Sequence, residues 1–501
     1  MARSRSQVVK TSFTRLFTIE GAAGPANVPA YQGQARVMGP SWSLGDRTPV
    51  RQPGDRYGAF DVVDAIKGER GLPTVSVEAR YPYTASEFLR LARIGCVLDL
   101  QVHMGKCQDP RDFDGGWDKI LAFEGADFSN WAASELGALE QGQDANVTET
   151  PDFNALDMYE IVKLVTTEIG GSQIVQEIVD VAICDSIVCG NCGIPSDGCQ
   201  TVFGLSRSHG GSPGLPAEII WSANGGATMD DNNITSLLAA EDPSALACVG
   251  TRLAVVSNES CSVHYATIAE ILLQTETWVE NASGLVCAAG APNDIFSLDA
   301  SHTWVVGNGG YIYKYTDITA AAVPQHSGTL TVQNLNAIHG IDDQNLVAVG
   351  GSNAVLVTNN GGETWALVVG PAVGIVLNTV WMKSELEWFI GTAGGRLYYT
   401  RNGGDTWTEK AFSGSGAGSV HDIVFASPTV GYMAHSTAAI AGRVFRTVNG
   451  GYSWYLLPES VGSLPANDQI NALAACPDDV NVFYGGGLAD NATDGIMVKG
   501  A

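Results

Sequence analysis

Cys184, Cys189, Cys192 and Cys199 fall within one short stretch, "CDSIVCGNCGIPSDGC", separated by four, two and six residues. Four thiolates are enough for tetrahedral zinc. The spacings are not the paired C-x-x-C of a zinc ribbon, and the same cysteines would serve equally as one or two disulfides or as buried free thiols. Zinc is the only cofactor any motif suggests. A second constellation, "DPRDFDGGWD", sets Asp109, Asp112, Asp114 and Asp118 around a Gly-Gly turn. It lacks the further acidic ligand and the closing Glu of an EF-hand loop, so it reads as an acidic surface loop.

Catalytic motifs are harder to find. His-Glu-x-x-His and phosphate-cradling glycine loops are missing from the sequence. A sialidase would need clustered arginines, a Tyr–Glu nucleophile pair and an acid. The second half offers Arg207, Arg252, Arg396, Arg401, Arg443 and Arg446, several of them at repeated strand and turn positions. The expectation is a protein that is not an enzyme.

The elements that would carry these residues follow from composition and periodicity. The chain has 501 residues, 59 of them glycine, and only 16% are charged, which points to two or three domains rich in turns and short strands. Its net charge of −26 excludes the cationic footprint of a nucleic-acid binder. The opening "MARSRSQVVKTSFTRLFTIEG" has no apolar h-region, and no apolar run is long enough to span a membrane, so synthesis in a cytoplasm is expected.

One phrase recurs: "TNNGGETW" from Thr358, "TRNGGDTW" from Thr400 and "TVNGGYSW" from Thr447. Each follows a β-favouring run and opens another, which is the signature of a tight hairpin whose Asn-Gly-Gly supplies positive φ. The turn residues are Asn360, Gly361 and Gly362, Asn402, Gly403 and Gly404, and Asn449, Gly450 and Gly451, with Trp365, Trp407 and Trp454 packing between neighbouring sheets. Two further strands precede each hairpin, and four strands per repeat describe a propeller blade. Degenerate copies occupy 236–278 and 294–317. A lone turn at Asn224, Gly225 and Gly226 is expected to complete the terminal blade and close the ring, giving six blades over 217–501 after a linker at 206–216, or seven if an irregular stretch conceals one.

The turn resembles the Asp-box, or BNR, repeat, with Asn in place of the usual Asp, and the spacing is similar to propellers of the photosystem II assembly factor family. That resemblance implies a fold and leaves activity open, since such propellers include sialidases, glycan readers, assembly factors and phage decorations.

Residues 1–205 carry no repeat. "TVSVEAR" (74–80) and "CVLDLQVH" (96–103) alternate as strands, and "TASEFLRLARIG" between them has a capping box and a Gly stop. Further strands are expected at "QARVMG", "KILAFEGADF", "ANVTETPDF" and "GSQIVQEIVDVAIC". The expected fold is all-β, a β-sandwich or barrel with one short helix followed by the propeller. Together with "GDRTPVRQPGDRYGAFDVVDAIKGERGLPTVSVEARYP", this order resembles siphophage tail tube proteins. The resemblance implies a virion structural protein: a homo-oligomer of stacked rings through which DNA passes without specific binding, in contact with other virion proteins, and with the propeller as an outward decoration. The alternatives are a receptor- or glycan-binding tail or surface protein, in which Trp365, Trp407 and Trp454 could stack sugars, and a propeller-based assembly factor.

Overall fold

The computed structural model describes residues 14–20, 30–31, 41–43, 50–51, 65–66, 72–76, 79–80, 98–105, 117–133, 148–155, 157–162, 166–169, 177–184, 198–207, 217–233, 243–257, 260–286, 291–372, 374–412, 416–436, 442–457, 469–488 and 495–500. The protein is nearly all-β and divides into two compact units, Met1–Lys163 and Leu164–Ala501.

In the first unit, nine strands pair in one antiparallel sheet. Its longest strand, Trp117–Ala133, pairs with Leu98–Gly105 on one side and with Thr148–Asn154 and Asp157–Val162 on the other. Val75, Leu100, Val102, Leu121, Phe123 and Phe153 form its buried cluster, which is the inward half of the alternation in these strands. The strand expected over 74–80 is present as Thr74–Ser76 and Ala79–Arg80. The helix expected at 84–95, the strand at "QARVMG" and the acidic loop at 109–118, apart from its last residues, lie outside the described residues.

The second unit consists of seven four-stranded antiparallel sheets. The second strands of the later sheets, such as Leu346–Gly350, Trp388–Thr392 and Gly431–Ser436, are buried along their whole length. That is the pattern of strands covered on both faces. Seven apolar clusters each span two consecutive sheets, and one of them joins the seventh sheet to the first through Ile178, Val202, Tyr484 and Met497. The sheets therefore close into a seven-bladed ring.

This corrects the expectation of six blades over 217–501. "GSQIVQEIVDVAIC" is not part of the first domain: Ile178–Ile183 is the innermost strand of the first blade, followed by Val202–Ser206, Glu218–Ser222 and Asp230–Asn233. The Cys-rich segment between its first two strands disguises the repeat. The turn at Asn224 therefore belongs to the first blade. Closure comes instead from Thr166–Ile169, which pairs with Gly495–Gly500 as the fourth strand of the seventh blade. That strand brings the last sheet to four strands, as in the other blades. The boundary between the units lies at Lys163, not at 205–217.

The cysteines are corrected too. Cys184 is bonded to Cys248 and Cys199 to Cys476, the disulfide alternative for Cys184 and Cys199, which removes them from the expected four-thiolate set. The bonds reach away from the Cys-rich segment, to the second and the seventh blades. Cys189 and Cys192 lie outside the described residues. Among the described residues no group of His, Cys, Asp or Glu could hold a metal, and no helix is long and apolar enough to cross a membrane.

Candidate binding site in the axial channel

Four of the Asn-Gly-Gly turns, at Asn224, Asn360, Asn402 and Asn449, share one hydrogen-bond net. In the fourth blade Thr358 Oγ1 donates to Asn360 Oδ1 at 2.8 Å and accepts from Gly362 N at 3.0 Å. Asn360 Nδ2 donates to Thr364 Oγ1 at 2.8 Å, and its Oδ1 accepts from Thr364 N at 3.0 Å. The same set recurs around Asn402, Asn449 and Asn224, with Ser222 replacing Thr in the last. Both glycines of each turn take positive φ, Gly361 at 68° and Gly362 at 89° for instance. Lysines of the preceding blade fasten three of these turns: Lys314 to Gly361 O, Lys383 to Gly450 O and Lys499 to Gly225 O, each at 3.1 Å.

The tryptophans that follow are packing residues. Trp365 and Trp454 are 8% and 6% exposed in clusters between blades, and Trp407 donates Nε1 to Val369 O of the preceding blade at 2.8 Å. Trp365 and Trp454, so buried, have no open face on which a sugar could stack, and Trp407 is half-buried. The arginines are dispersed over four blades. Arg396 pairs with Glu409, Arg401 with Glu387 and Arg446 with Asn481, while Arg252 lies over Tyr265. They form no carboxylate-binding cluster.

Chemistry-bearing side chains converge elsewhere, on the innermost strands. Each of these seven strands has a β-bulge near its start, and the bulged residues are Val179, Ser244, Asn293, Asn336, Asn378, His421 and Asn471. A bulge re-aims its side chain, and all seven line the axial channel. The asparagines reach to the next blade: Asn293 Nδ2 donates to Leu335 O at 2.9 Å, Asn336 to Leu377 O at 2.9 Å, Asn378 to Val420 O at 3.0 Å and Asn471 to Glu177 Oε1 at 2.8 Å.

The residue after the bulge is an aspartate in three blades. Asp180 accepts from Val181 N and Leu246 N, Asp294 from Ile295 N and Ile338 N, and Asp422 from Ile423 N and Leu473 N. Each carboxylate thus clamps its own strand to the next blade. All three keep some surface open to the channel, yet they lie deep among the blades. Burial outweighs the N–H bonds and pushes their pKa values up, that of Asp294 to about 7. Burial acts oppositely on the imidazoles, holding His339 down at about 3 and, with help from His435, His421 at about 4.

The channel has two unlike ends. At its entrance a pocket of about 450 Å³ is lined by Glu177, Arg207, Ser244, Asn293, His421 and Asn471 with Val179 and Pro243. Arg207 Nε lies 3.5 Å from Glu177 Oε2, and its guanidinium is half exposed. Further along the same strands the lining turns aromatic: Phe296 and His339 rings lie 4.9 Å apart, His339 and Trp381 3.9 Å, and Trp381 and Phe425 6.0 Å.

No family model matches the sequence, and no curated protein matches it. The propeller has structural neighbours. The chain is similar to YCF48 bound to D1 peptide, with a TM-score of 0.49 at 14% identity over 68% of this chain and 95% of that one. It is similar also to YCF48 from Cyanidioschyzon merolae (TM-score 0.49, 13% identity, 67% and 98% covered) and to the RRP9 WD40 repeats (TM-score 0.48, 11% identity, 67% and 96% covered). These are likenesses of fold only. None supports the tail-tube resemblance of the first unit.

The channel residues escape a motif search, although a signal is present. "PNDI", "LNAI", "LNTV" and "INAL" recur at 292, 335, 377 and 470, an Asn directly after an apolar residue at each strand start. The repeat is as regular as the Asn-Gly-Gly turn but carries no glycine to mark it.

Proposed function

We propose that the chain is a binding module, a propeller that holds a segment of a protein partner at the entrance of its axial channel. The observation that carries this reading is the entrance pocket, where Glu177, Arg207, Ser244, Asn293, His421 and Asn471 converge from five different blades. Convergent polar side chains on a rigid scaffold, in a concave site, are what recognition of a polar ligand requires. The reading falls within the assembly or binding role considered for the sequence. It is favoured over a tail-tube subunit stacked around DNA, for which nothing in the comparisons speaks, and over sugar stacking on the buried tryptophans.

Selection of displayed random peptides on the full chain tests it, with Arg207→Glu and Ser244→Arg at the entrance as counter-selections. Peptides held by the wild type and lost from both variants are expected. Peptides retained equally by all three proteins would contradict the reading.

A further inference from the structure

We propose that the channel behind this entrance receives a cationic hydrogen-bond donor, the ammonium or guanidinium of a lysine or arginine side chain carried by the partner; the inference rests on the binding-module reading and names its ligand chemistry.

The first argument is the polarity of the amides. A carboxamide has one donor end and one acceptor end. In Asn336 and Asn378 the Nδ2 end is fixed by a backbone carbonyl of the next blade, and in Asn471 by the Glu177 carboxylate, none of which can donate. The orientation of these amides is therefore chemically determined. Asn378 uses both N–H groups this way, on Ser419 Oγ and Val420 O, and Asn336 and Asn471 use one each, so every one of the three brings an Oδ1 acceptor to a ligand and two keep one further N–H.

The second argument is charge. Asp180, Asp294 and Asp422 line the channel, and no lysine or arginine is among its described lining residues. Asp294 and Asp422 help to push the pKa of Asp180 up, and Asp422 that of Asp294, so the carboxyls feel one another across the channel and a cation would relieve that repulsion. Their oxygens are occupied by backbone N–H groups, which suits a field-providing role and not metal ligation. Third, Phe296 and Trp381 line the channel farther along, aromatic rings of the kind that attract a cation in a partly desolvated setting. An anion would meet three carboxyls with no lysine or arginine among the described channel lining, and an apolar side chain would have to desolvate the amides.

A cation beside Asp294 would also favour its ionised form, so binding near neutral pH should release protons. The groups facing Asp294 that could contribute are Asp180, Asp422, His339 and His421, with Glu177 and Arg207 at the entrance.

Calorimetry on the full chain decides the matter, using blocked arginine and lysine amides, blocked citrulline amide as the neutral isostere of arginine, and spermidine as a free polyamine. One of the two cationic amides is expected to bind at least about tenfold tighter than citrulline, with proton release at pH 7, and to lose that advantage in Asp294→Asn and in Ser244→Arg. Arg396→Ala, on the outer part of the fifth blade, should bind as the wild type does. Equal binding of citrulline, no binding of either cation, or full binding by both channel variants overturns the inference, and so does a preference for spermidine over both amides, which would assign the site to a free polyamine. Entrance-dependent peptides devoid of Lys and Arg would sink this inference while leaving the binding module standing; the absence of any entrance-dependent peptide would remove the module reading itself.

Discussion

Cys199 and Cys476 are joined across 277 residues of sequence, and their bond ties the first blade to the seventh. Around it the seam is held without covalent bonds, by the pairing of Thr166–Ile169 with Gly495–Gly500, by Lys499 Nζ on Gly225 O and by Tyr484 Oη donating to Cys199 O at 3.0 Å. Cys184–Cys248 adds a second tether, from the first blade to the second. Closure is thus doubly determined, and the covalent part is separable from the rest.

Removing the seam disulfide as Cys199→Ala with Cys476→Ala should cost about 2–5 kcal/mol, because it closes a very long loop in the unfolded chain. Urea denaturation of this variant with and without reductant is the measurement. Reductant is expected to lower the midpoint of the wild type by more than that of the variant.

The turns give a graded prediction. A Cβ on Gly404 would lie 2.5 Å from Val368 Cγ1 of the preceding blade, whereas on Gly403 it would meet nothing closer than Leu386 Cδ2 at 3.5 Å. Both positions demand positive φ. Gly403→Ala and Asn402→Ala should each destabilise the propeller by about 1–3 kcal/mol, and Gly404→Ala by more, since blade contact is added to backbone strain. Calorimetric unfolding of the three variants checks the order.

Stability should depend on pH through His339. Folded, it stays neutral down to about 3, whereas its ordinary value is 6.5. Between these values the unfolded chain binds the extra proton, so this residue makes stability fall as pH drops through the window. His339→Phe, which keeps a ring between Phe296 and Trp381, should flatten that part of the profile. Urea midpoints across the window, compared between the two proteins, test it.

Asp294 works in the opposite sense. Its folded value near 7 lies above the ordinary 3.8, so the native state binds the extra proton and stability falls as pH rises between the two. Asp294→Asn should therefore gain on the wild type as pH climbs through that range. An unchanged difference between the two proteins across it would contradict burial as the cause.

The Asn-Gly-Gly hairpins are legible in the sequence because the turn demands residues that tolerate positive φ, and Trp365, Trp407 and Trp454 mark the strand that follows. The first blade is not legible, for two reasons. Its innermost strand, Ile178–Ile183, is cut off from its partner Val202–Ser206 by the Cys-rich segment, and its turn at Asn224 lacks a tryptophan afterwards. The closing strand Thr166–Ile169 pairs with the far end of the chain, and no local pattern announces such a partner. The disulfides are hidden in the same way, since Cys184 and Cys199 bond to residues far outside their own cluster. In the channel, the recurring Asn at 293, 336, 378 and 471 can be read off, but its meaning depends on a β-bulge, and register is a property of paired strands rather than of composition.

The central claim is that the channel entrance, not an outer edge or an enzymatic cleft, is where this protein meets its partner. The most direct measurement is a structure of the full chain bound to a peptide from the entrance-dependent selection. The account predicts the peptide lying over Glu177, Arg207 and Ser244, intact, with one side chain entering between Asn336, Asn378 and Asn471. A peptide seated along an outer strand such as Ala366–Val369, with the entrance empty, would contradict it.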